Sequence, residues 1–357
     1  MLMLQGIRDA CKDSNIGVKH VDMGWLKTKE ASLRFKNPAY KSHEEEANEI
    51  DFDAIVSKYI TKIPLSIDPL PNSGYFYDRT VYTDAHVGMT PNENGFSLYG
   101  GKWDEDEIMY RGSKVVSHTL EHQKSDILIL DDLGDFMDGY DGETVRKGHK
   151  LPQNMDNETA FDIGLKFKLY KIDALAPKYQ KIVCNNICND NHAGSFGYIV
   201  NSAFKSVVEA RYDNVTVNNH RRFISHYFMG NKCFIITHGK DGKNLKFGFK
   251  PVLDTKQIEK IESYIKHHKL YDYDIEFSKG DSHQFIFDYS TSDSFDYCNY
   301  PALSPSSEWV QTNFKKGSSG FVTFNYKENG EKSEHPYFFD WKNTGEEKSI
   351  DWASLAI

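Results

Sequence analysis

YFYDRTVYTDAH, residues 75–86, is a β-rich run that ends on two groups able to bind a metal, Asp84 and His86. The same ending recurs along the chain. DILILDD (126–132) leads into Gly134-Asp135-Phe136-Met137-Asp138, and KIVCNNI (181–187) into Asp190-Asn191-His192. KCFIITH (232–238) closes on His238-Gly239, and YDIEFS (273–278) is followed by Gly280-Asp281-Ser282-His283. Amphipathic stretches at about 104–123, 158–175, 197–211 and 254–268 alternate with these runs, and a later β-rich part covers 284–289 and 319–326. Strands alternating with helices predict an α/β chain, whose sites form at the carboxyl ends of the strands. Taken singly, Asp-x-His is an ordinary turn and Gly-Asp-x-x-Asp an ordinary turn or helix cap. The weight lies in their order and in their recurrence after successive strands.

Outside this region the chain changes character. Residues 1–70 are expected to form a helical or mixed appendage. It would include a short helix at 3–13 and an acidic-to-apolar helix over HEEEANEIDFDAIVSKYI, with Ile50, Ile55, Tyr59 and Ile60 near one face. IPLSIDPLPNSG reads as a linker. Residues 71–330 are expected to form the main domain, and 331–357 an aromatic, acidic tail packed on it.

Composition bounds the partners. The 357 residues carry a net charge of −9, which excludes a uniformly basic nucleic-acid surface but not a local basic track beside an acidic metal site. Lys240, Lys243, Lys246 and Lys250 interleave with Phe247 and Phe249 just after His238. Such a loop can track a phosphate backbone and stack bases, or can be a solvated hairpin. Arg221-Arg222 and Lys315-Lys316 read as solvated surface. The five cysteines are odd in number and sparse, so no disulfide framework is expected. Cys184 and Cys188 have a zinc-like spacing without a second pair, and read as buried strand residues. A reducing cytosol fits this usage. No apolar run approaches the roughly 18 residues of a membrane span, and no signal peptide is read at the start.

In this order the motifs resemble the calcineurin-like metallophosphoesterases, whose pattern is Asp-x-His, Gly-Asp-x-x-Asp, Gly-Asn-His-Asp/Glu, a lone His, and Gly-His-x-His. The chain departs from it at three positions: Asp190 stands for Gly, Ala193 for the acid, and Asp281 for the first His of the last motif. The resemblance implies a four-layer α/β/β/α sandwich holding two divalent cations. Manganese is the first choice, with Mg, Fe or Zn as alternatives, and Asp281 favours harder cations. It implies Asp135 as the bridging ligand, with Asp84, His86 and His283 completing one metal site and Asn191, His238 and Asp281 the other. His192 would act as general acid or phosphoryl contact, and Asp138 would orient a neighbour in the catalytic machinery.

The chain is also similar to phosphoesterases carried by bacterial viruses, in Gly24-Trp25-Leu26-Lys27-Thr28-Lys29 and in Tyr300-Pro301-Ala302-Leu303-Ser304-Pro305-Ser306. This resemblance implies a bacterial host cytoplasm. The functional expectation is a metal-dependent phosphodiesterase or nuclease acting on DNA, with Lys240 and Lys243 contacting substrate. The alternatives are a protein or nucleotide phosphatase or phosphodiesterase, and a non-catalytic binding or assembly protein that keeps the fold. No membrane partner is expected. The N-terminal segment could serve a homo-oligomer contact.

Overall fold

A computed structural model describes residues 61–71, 73–92, 101–145, 148–188, 190–239, 251–314 and 317–339, with Lys12 and the strand backbones at 23–27 and 32–36. The chain divides into two compact units, 1–61 and 62–357. In the first, β1 (Met23–Lys27) pairs antiparallel with β2 (Ser32–Lys36). The helices expected at 3–13 and over HEEEANEIDFDAIVSKYI, the lysine–phenylalanine loop after His238, Lys315-Lys316 and the end of the tail lie outside the described residues, as does the Trp25 side chain.

The second unit holds two mixed sheets. The first contains β3 (Tyr75–Tyr82), β4 (Ile127–Asp132), β5 (Lys181–Ile187), β6 (Val215–His220), β12 (Gly320–Lys327) and β13 (Lys332–Phe338), in the order β13-β12-β3-β4-β5-β6. Strands β3 to β6 run parallel, while β12 and β13 are antiparallel additions. The second sheet contains β7 (Ile224–Met229), β8 (Lys232–Thr237), β9 (Asp274–Lys279), β10 (Ile286–Asp288) and β11 (Asp296–Asn299), in the order β10-β11-β9-β8-β7. The helices are α1 (Glu105–Glu121), α2 (Asn157–Leu175), α3 (Ser195–Arg211), α4 (Thr255–His268) and the short α5 (Glu308–Phe314).

Strand alternation assigns the layers, because successive side chains face opposite sides of a sheet. Tyr82, Leu128, Leu130, Ile182 and Cys184 meet Val115, Phe167, Ile172, Val200 and Phe204 of α1, α2 and α3. Cys233, Ile235, Ile275 and Phe277 meet Ile261 and Ile265 of α4. Tyr77, Val81, Ile129, Phe234, Ile236, Val322 and Phe324 fill the space between the sheets. The result is the expected four-layer α/β/β/α sandwich. Cys184, Cys188, Cys233 and Cys298 are buried free thiols. The linker stretch lies along the same unit: Ile63 N–H donates to Arg211 O, Gln180 Nε2 to Ile67 O, and Leu70 N–H to Asp126.

Between the sheets sits a charged group that sequence reasoning would place in solvent. Arg79 of β3 donates through Nε to Asp131 Oδ2 at 2.7 Å and through Nη1 to Glu276 Oε1 at 2.5 Å, all three side chains fully buried. Its guanidinium lies 4.3 Å from the Phe234 ring centre, and the hydroxyls of Tyr227 and Tyr326 donate to the same two carboxylates. Burial pushes Glu276 upward, but Arg79, Lys332 and Lys232 bring it down to about 2. Its contribution to stability is therefore present above the unfolded pKa and lost as pH falls toward 2. Replacing Arg79 with Met leaves Asp131 buried without its cation and Glu276 with only the more distant Lys332, 3.5 Å away. The expected cost is about 3–5 kcal/mol by urea denaturation near neutral pH, and a loss under about 1 kcal/mol would contradict the network's role.

Candidate metal centre

The five motif loops meet at the carboxyl ends of β3, β4, β5, β8 and β9, and their backbones are strained where the chemistry lies. Asp84, His86, Asp135, Asp281 and His283 have φ of 53°, 45°, 46°, 69° and 48°. Only two other described non-glycine residues, Asp141 and Lys269, have positive φ. Each left-handed residue costs of order 1–3 kcal/mol, so the surrounding contacts must hold it in place. Those contacts run from loop to loop. Asp84 N–H donates to Gly134 O at 3.0 Å and His86 N–H to Asp135 O at 2.9 Å. Asp281 N–H donates to Asp84 Oδ2 at 3.1 Å, and Thr83 Oγ1 donates to the same oxygen at 2.8 Å. Gly280 is required by close approach: a Cβ there would stand 2.2 Å from Thr83 Oγ1 and 2.7 Å from Asp84 Oδ2.

The side chains converge in two overlapping groups. In the first, His283 Nε2 lies 3.2 Å and His86 Nε2 3.6 Å from Asp84 Oδ1, and the two Nε2 atoms are 3.3 Å apart. In the second, His238 Nε2 lies 2.9 Å from Asp135 Oδ2 and 3.6 Å from Asp281 Oδ1, and Asn191 Nδ2 lies 3.4 Å from Asp135 Oδ2. Asp84, His86 and His283 each bring one ligand atom within 4.8 Å of the others, as do Asp84, Asp135 and His238, and His86, Asp135 and His192. Asp135 thus belongs to two of these sets. Asp138 Oδ1 makes a 2.9 Å hydrogen bond with His86 Nδ1 and stands 3.3 Å from His192 Nδ1, which makes no hydrogen bond.

The donor atoms fit divalent cations. Of the buried polar side-chain atoms without a hydrogen bond, Asp84 Oδ1, Asn191 Oδ1, His238 Nδ1 and Nε2, Asp281 Oδ2 and His283 Nδ1 belong to the expected ligands. His238 Nε2 is within 2.9 Å of Asp135 Oδ2 yet does not point along a hydrogen bond to it, as expected of two donors aimed at a common third atom. Asp84 divides its oxygens: Oδ2 is held by Thr83 and Asp281, leaving Oδ1 toward the two imidazoles. The set is oxygen and imidazole without thiolate, which suits Mn, Mg or Fe better than a structural zinc site.

Without a cation, protons on the histidines offset the carboxylates. Burial lowers the His86 pKa, but Asp138 and Asp84 raise it to about 10. Burial likewise opposes charge on His238, yet Asp135, Asp281 and Asp84 hold its pKa well above the ordinary imidazole range. Asp84 and Asp135, pushed up by burial, are carried below the usual carboxylate range by the facing imidazoles. Asp190 goes the other way, to about 7, through burial and the charge on Asp135.

Every expected site residue among the described residues, namely Asp84, His86, Asp135, Asp138, Asn191, His192, His238, Asp281 and His283, lies in this cluster. Lys240 and Lys243 fall outside the described residues. Arg221 stands 4.6 Å from the Tyr198 ring centre. Sequence reasoning missed the supports. Trp103 Nε1 donates to His86 O at 3.0 Å. Leu303 and Ser304 donate their amides to Thr83 O and Asp84 O, and Arg111 Nη1 fixes Leu303 O at 2.7 Å. The signal for the last of these was the Tyr300–Ser306 stretch, whose buried run buttresses the first motif. Beside the cluster opens a cavity of about 360 Å³, with His86, Asp135, His192 and His283 on one side and Met89, Leu151, Pro152 and Val310 among its apolar walls.

No protein-family model matches the chain, and no curated protein matches it. Among solved structures it is similar to a Staphylococcus aureus protein described as a "Putative 5'-Nucleotidase", crystallised in complex with alpha-ketoglutarate. The identity is 10%, the TM-score 0.32, and the match covers 74% of this chain and 54% of that chain, so this chain spans about half of its length. At that TM-score the likeness carries no argument, and the site rests on its own geometry. Among the described residues no helix is long and apolar enough to cross a membrane.

Ligation requires neutral imidazole, so metal binding must displace the protons held by His86 and His238. Titrating chelator-treated protein with Mn²⁺ near pH 7 in buffers of different ionisation enthalpy is expected to show proton release, with affinity rising as pH rises. The raised histidine pKa sets the sign for the metal-free state. The stabilisation it gives is full below pH 6.5 and lost as pH rises toward 10. The melting temperature of chelator-treated protein should therefore fall over that window, and added Mn²⁺ should restore it. Identical melting with and without metal would count against the site.

Proposed function

We propose that the chain is a metal-dependent phosphoester hydrolase of the calcineurin-like type. The observation that carries this reading is the convergence of seven ligand-type side chains from five strand ends, with Asp84 Oδ1, Asn191 Oδ1, His238 Nε2 and Asp281 Oδ2 making no hydrogen bond within the protein. Asp84, His86 and His283 would hold one cation, Asn191, His238 and Asp281 the other, and Asp135 both. When bound, two such cations supply Lewis acidity toward phosphoryl oxygens and lower the pKa of water.

The remaining work falls to the chain's own groups. His192 is the most accessible imidazole of the cluster, with its side chain 20% exposed and facing the cavity. Burial lowers its pKa, but Asp135 and Asp138 raise it, so it can hold a proton for a leaving oxygen. Asp138 stands 3.3 Å from Nδ1 as a charge partner, and Nε2 is left to make the transfer. Val145 N–H donates to His192 O at 2.9 Å and fixes the backbone behind the ring.

The cavity volume favours a compact phosphoester, such as a nucleotide or another small monoester or diester, since pockets of about 300–1,000 Å³ suit small molecules. The nuclease reading rests on the lysine–phenylalanine sequence after His238 and is decided by the same experiment. The protein should be incubated with Mn²⁺ and, separately, p-nitrophenyl phosphate, bis-p-nitrophenyl phosphate, nucleoside monophosphates, cyclic nucleotides, and single- and double-stranded DNA. Turnover of the small esters is expected, with EDTA abolishing it. His192→Ala should lower kcat by about 10²–10⁴-fold while leaving metal affinity nearly unchanged. Cleavage of DNA with no turnover of small esters would replace the small-substrate reading by the nuclease one. No turnover of any phosphoester by folded, metal-saturated protein would sink the enzyme reading.

A further inference from the structure

We propose that Asp190 is a positioning residue that locks the bridging aspartate to the Asn191-His192 turn, replacing from before the turn the acid that the related pattern places after it. The inference rests on the metal-dependent reading above. In that pattern a glycine precedes the Asn-His pair and an acid follows it. Here Asp190 precedes and Ala193 follows.

Asp190 is 7% exposed, and both of its oxygens are spent on backbone amides. Oδ2 accepts from Asp135 N–H at 3.2 Å, while Oδ1 accepts from Ala193 N–H at 2.9 Å and Gly194 N–H at 3.3 Å. One carboxylate therefore ties the loop after β4 to the turn that opens α3. Between Asp190 and the Ala193 amide it binds lie Asn191 and His192. Asn191 Nδ2 and His192 N–H each stand 3.4 Å from an oxygen of Asp135. The spacing of ligand and proton donor from the bridging carboxylate is thus fixed through Asp190.

Ala193 is fully buried beside the first turn of α3, where a Cβ on Gly197 would meet the Ala193 Cβ and Asp190 Oδ2 at 3.6 Å, an ordinary contact. Gly194, which caps α3, supplies no capping side chain, so the nearby carboxylate also meets the partial positive charge of the helix start. The strain adds a further reason. Asp135 sits at φ 46°, and its amide is held there by the Asp190 carboxylate.

Asp190→Asn separates this role from simple folding. The amide keeps one acceptor for the Ala193 and Gly194 N–H groups but turns donors toward the Asp135 N–H, or the reverse. Mn²⁺ affinity and stoichiometry should be measured calorimetrically on wild type and Asp190→Asn, with melting curves in chelator and in Mn²⁺. The expected result is a roughly 10–100-fold loss of metal affinity and a smaller melting shift on adding metal. In chelator the variant should melt modestly below wild type, because one buried N–H then faces an amide donor, and the gap should widen in Mn²⁺. In saturating metal, kcat should fall with KM little changed. Equal metal affinity in the two proteins would overturn the proposal, as would a variant whose entire defect appears in chelator. Absence of metal binding by wild type would instead overturn the reading beneath it. Where Asp190→Asn yields no folded protein, Asp190→Ser, which keeps an acceptor without bulk, takes its place with the same two outcomes.

Discussion

Buried negative charge is the constraint on which the second unit depends. Asp84, Asp135, Asp138, Asp190 and Asp281 are all buried at one end of the sandwich, and their mutual repulsion in a low-dielectric site must be offset. Four histidines share the same volume. Each carboxylate is handled differently. Asp190 satisfies both oxygens with backbone amides. Asp138 bonds His86 through one oxygen and stands 3.3 Å from His192. Asp84 anchors one oxygen and turns the other toward His86 and His283. A bound cation would compensate that charge and fill the direction that Asp84 Oδ1 leaves without a hydrogen bond.

The scaffold is arranged to bear the cost. Left-handed aspartates and histidines persist because loop-to-loop backbone bonds over-determine them. The Tyr300–Ser306 stretch, held by Arg111, presses on the first motif from behind. Deeper in, Arg79 joins the two sheets through Asp131 and Glu276, so the strands that carry the first, second and fifth motifs are tied to one another. On the outer face Lys168 of α2 reaches the buried Asp132 at 2.6 Å. Lys171, one helical turn on, has burial lowering its pKa and rests 3.5 Å from the Tyr82 ring centre.

The fold was legible where period and length agreed. The stretches read as helices at 104–123, 158–175, 197–211 and 254–268 became α1 to α4 with small shifts at their ends, and the five motif strands fell where the apolar runs stood. What escaped was short or polar. Val215–His220 reads VTVNNH, β11 spans only Asp296–Asn299, and α5 has 7 residues, too few to show a period. β13 carries charges and Pro336, which an edge strand tolerates because one side of it forms no ladder. At the site the ligands were legible because chemistry concentrates them after strands. Their supports were not. A buried Arg79, or a Trp103 that donates to a histidine carbonyl, has no local sequence signature, since burial is decided by distant strands. Asp190 lies between: its position in the motif pointed to it, but only the geometry shows that it holds amides.

The central claim is that Asp135 is shared by two cations. Anomalous diffraction at the manganese edge from crystals grown with Mn²⁺ tests it most directly. Two peaks about 3.5–4 Å apart are expected, one against Asp84, His86 and His283 and the other against Asn191, His238 and Asp281, with Asp135 beside both. No peak in the cluster, or a single peak that leaves His238 and Asp281 without a metal, would contradict it.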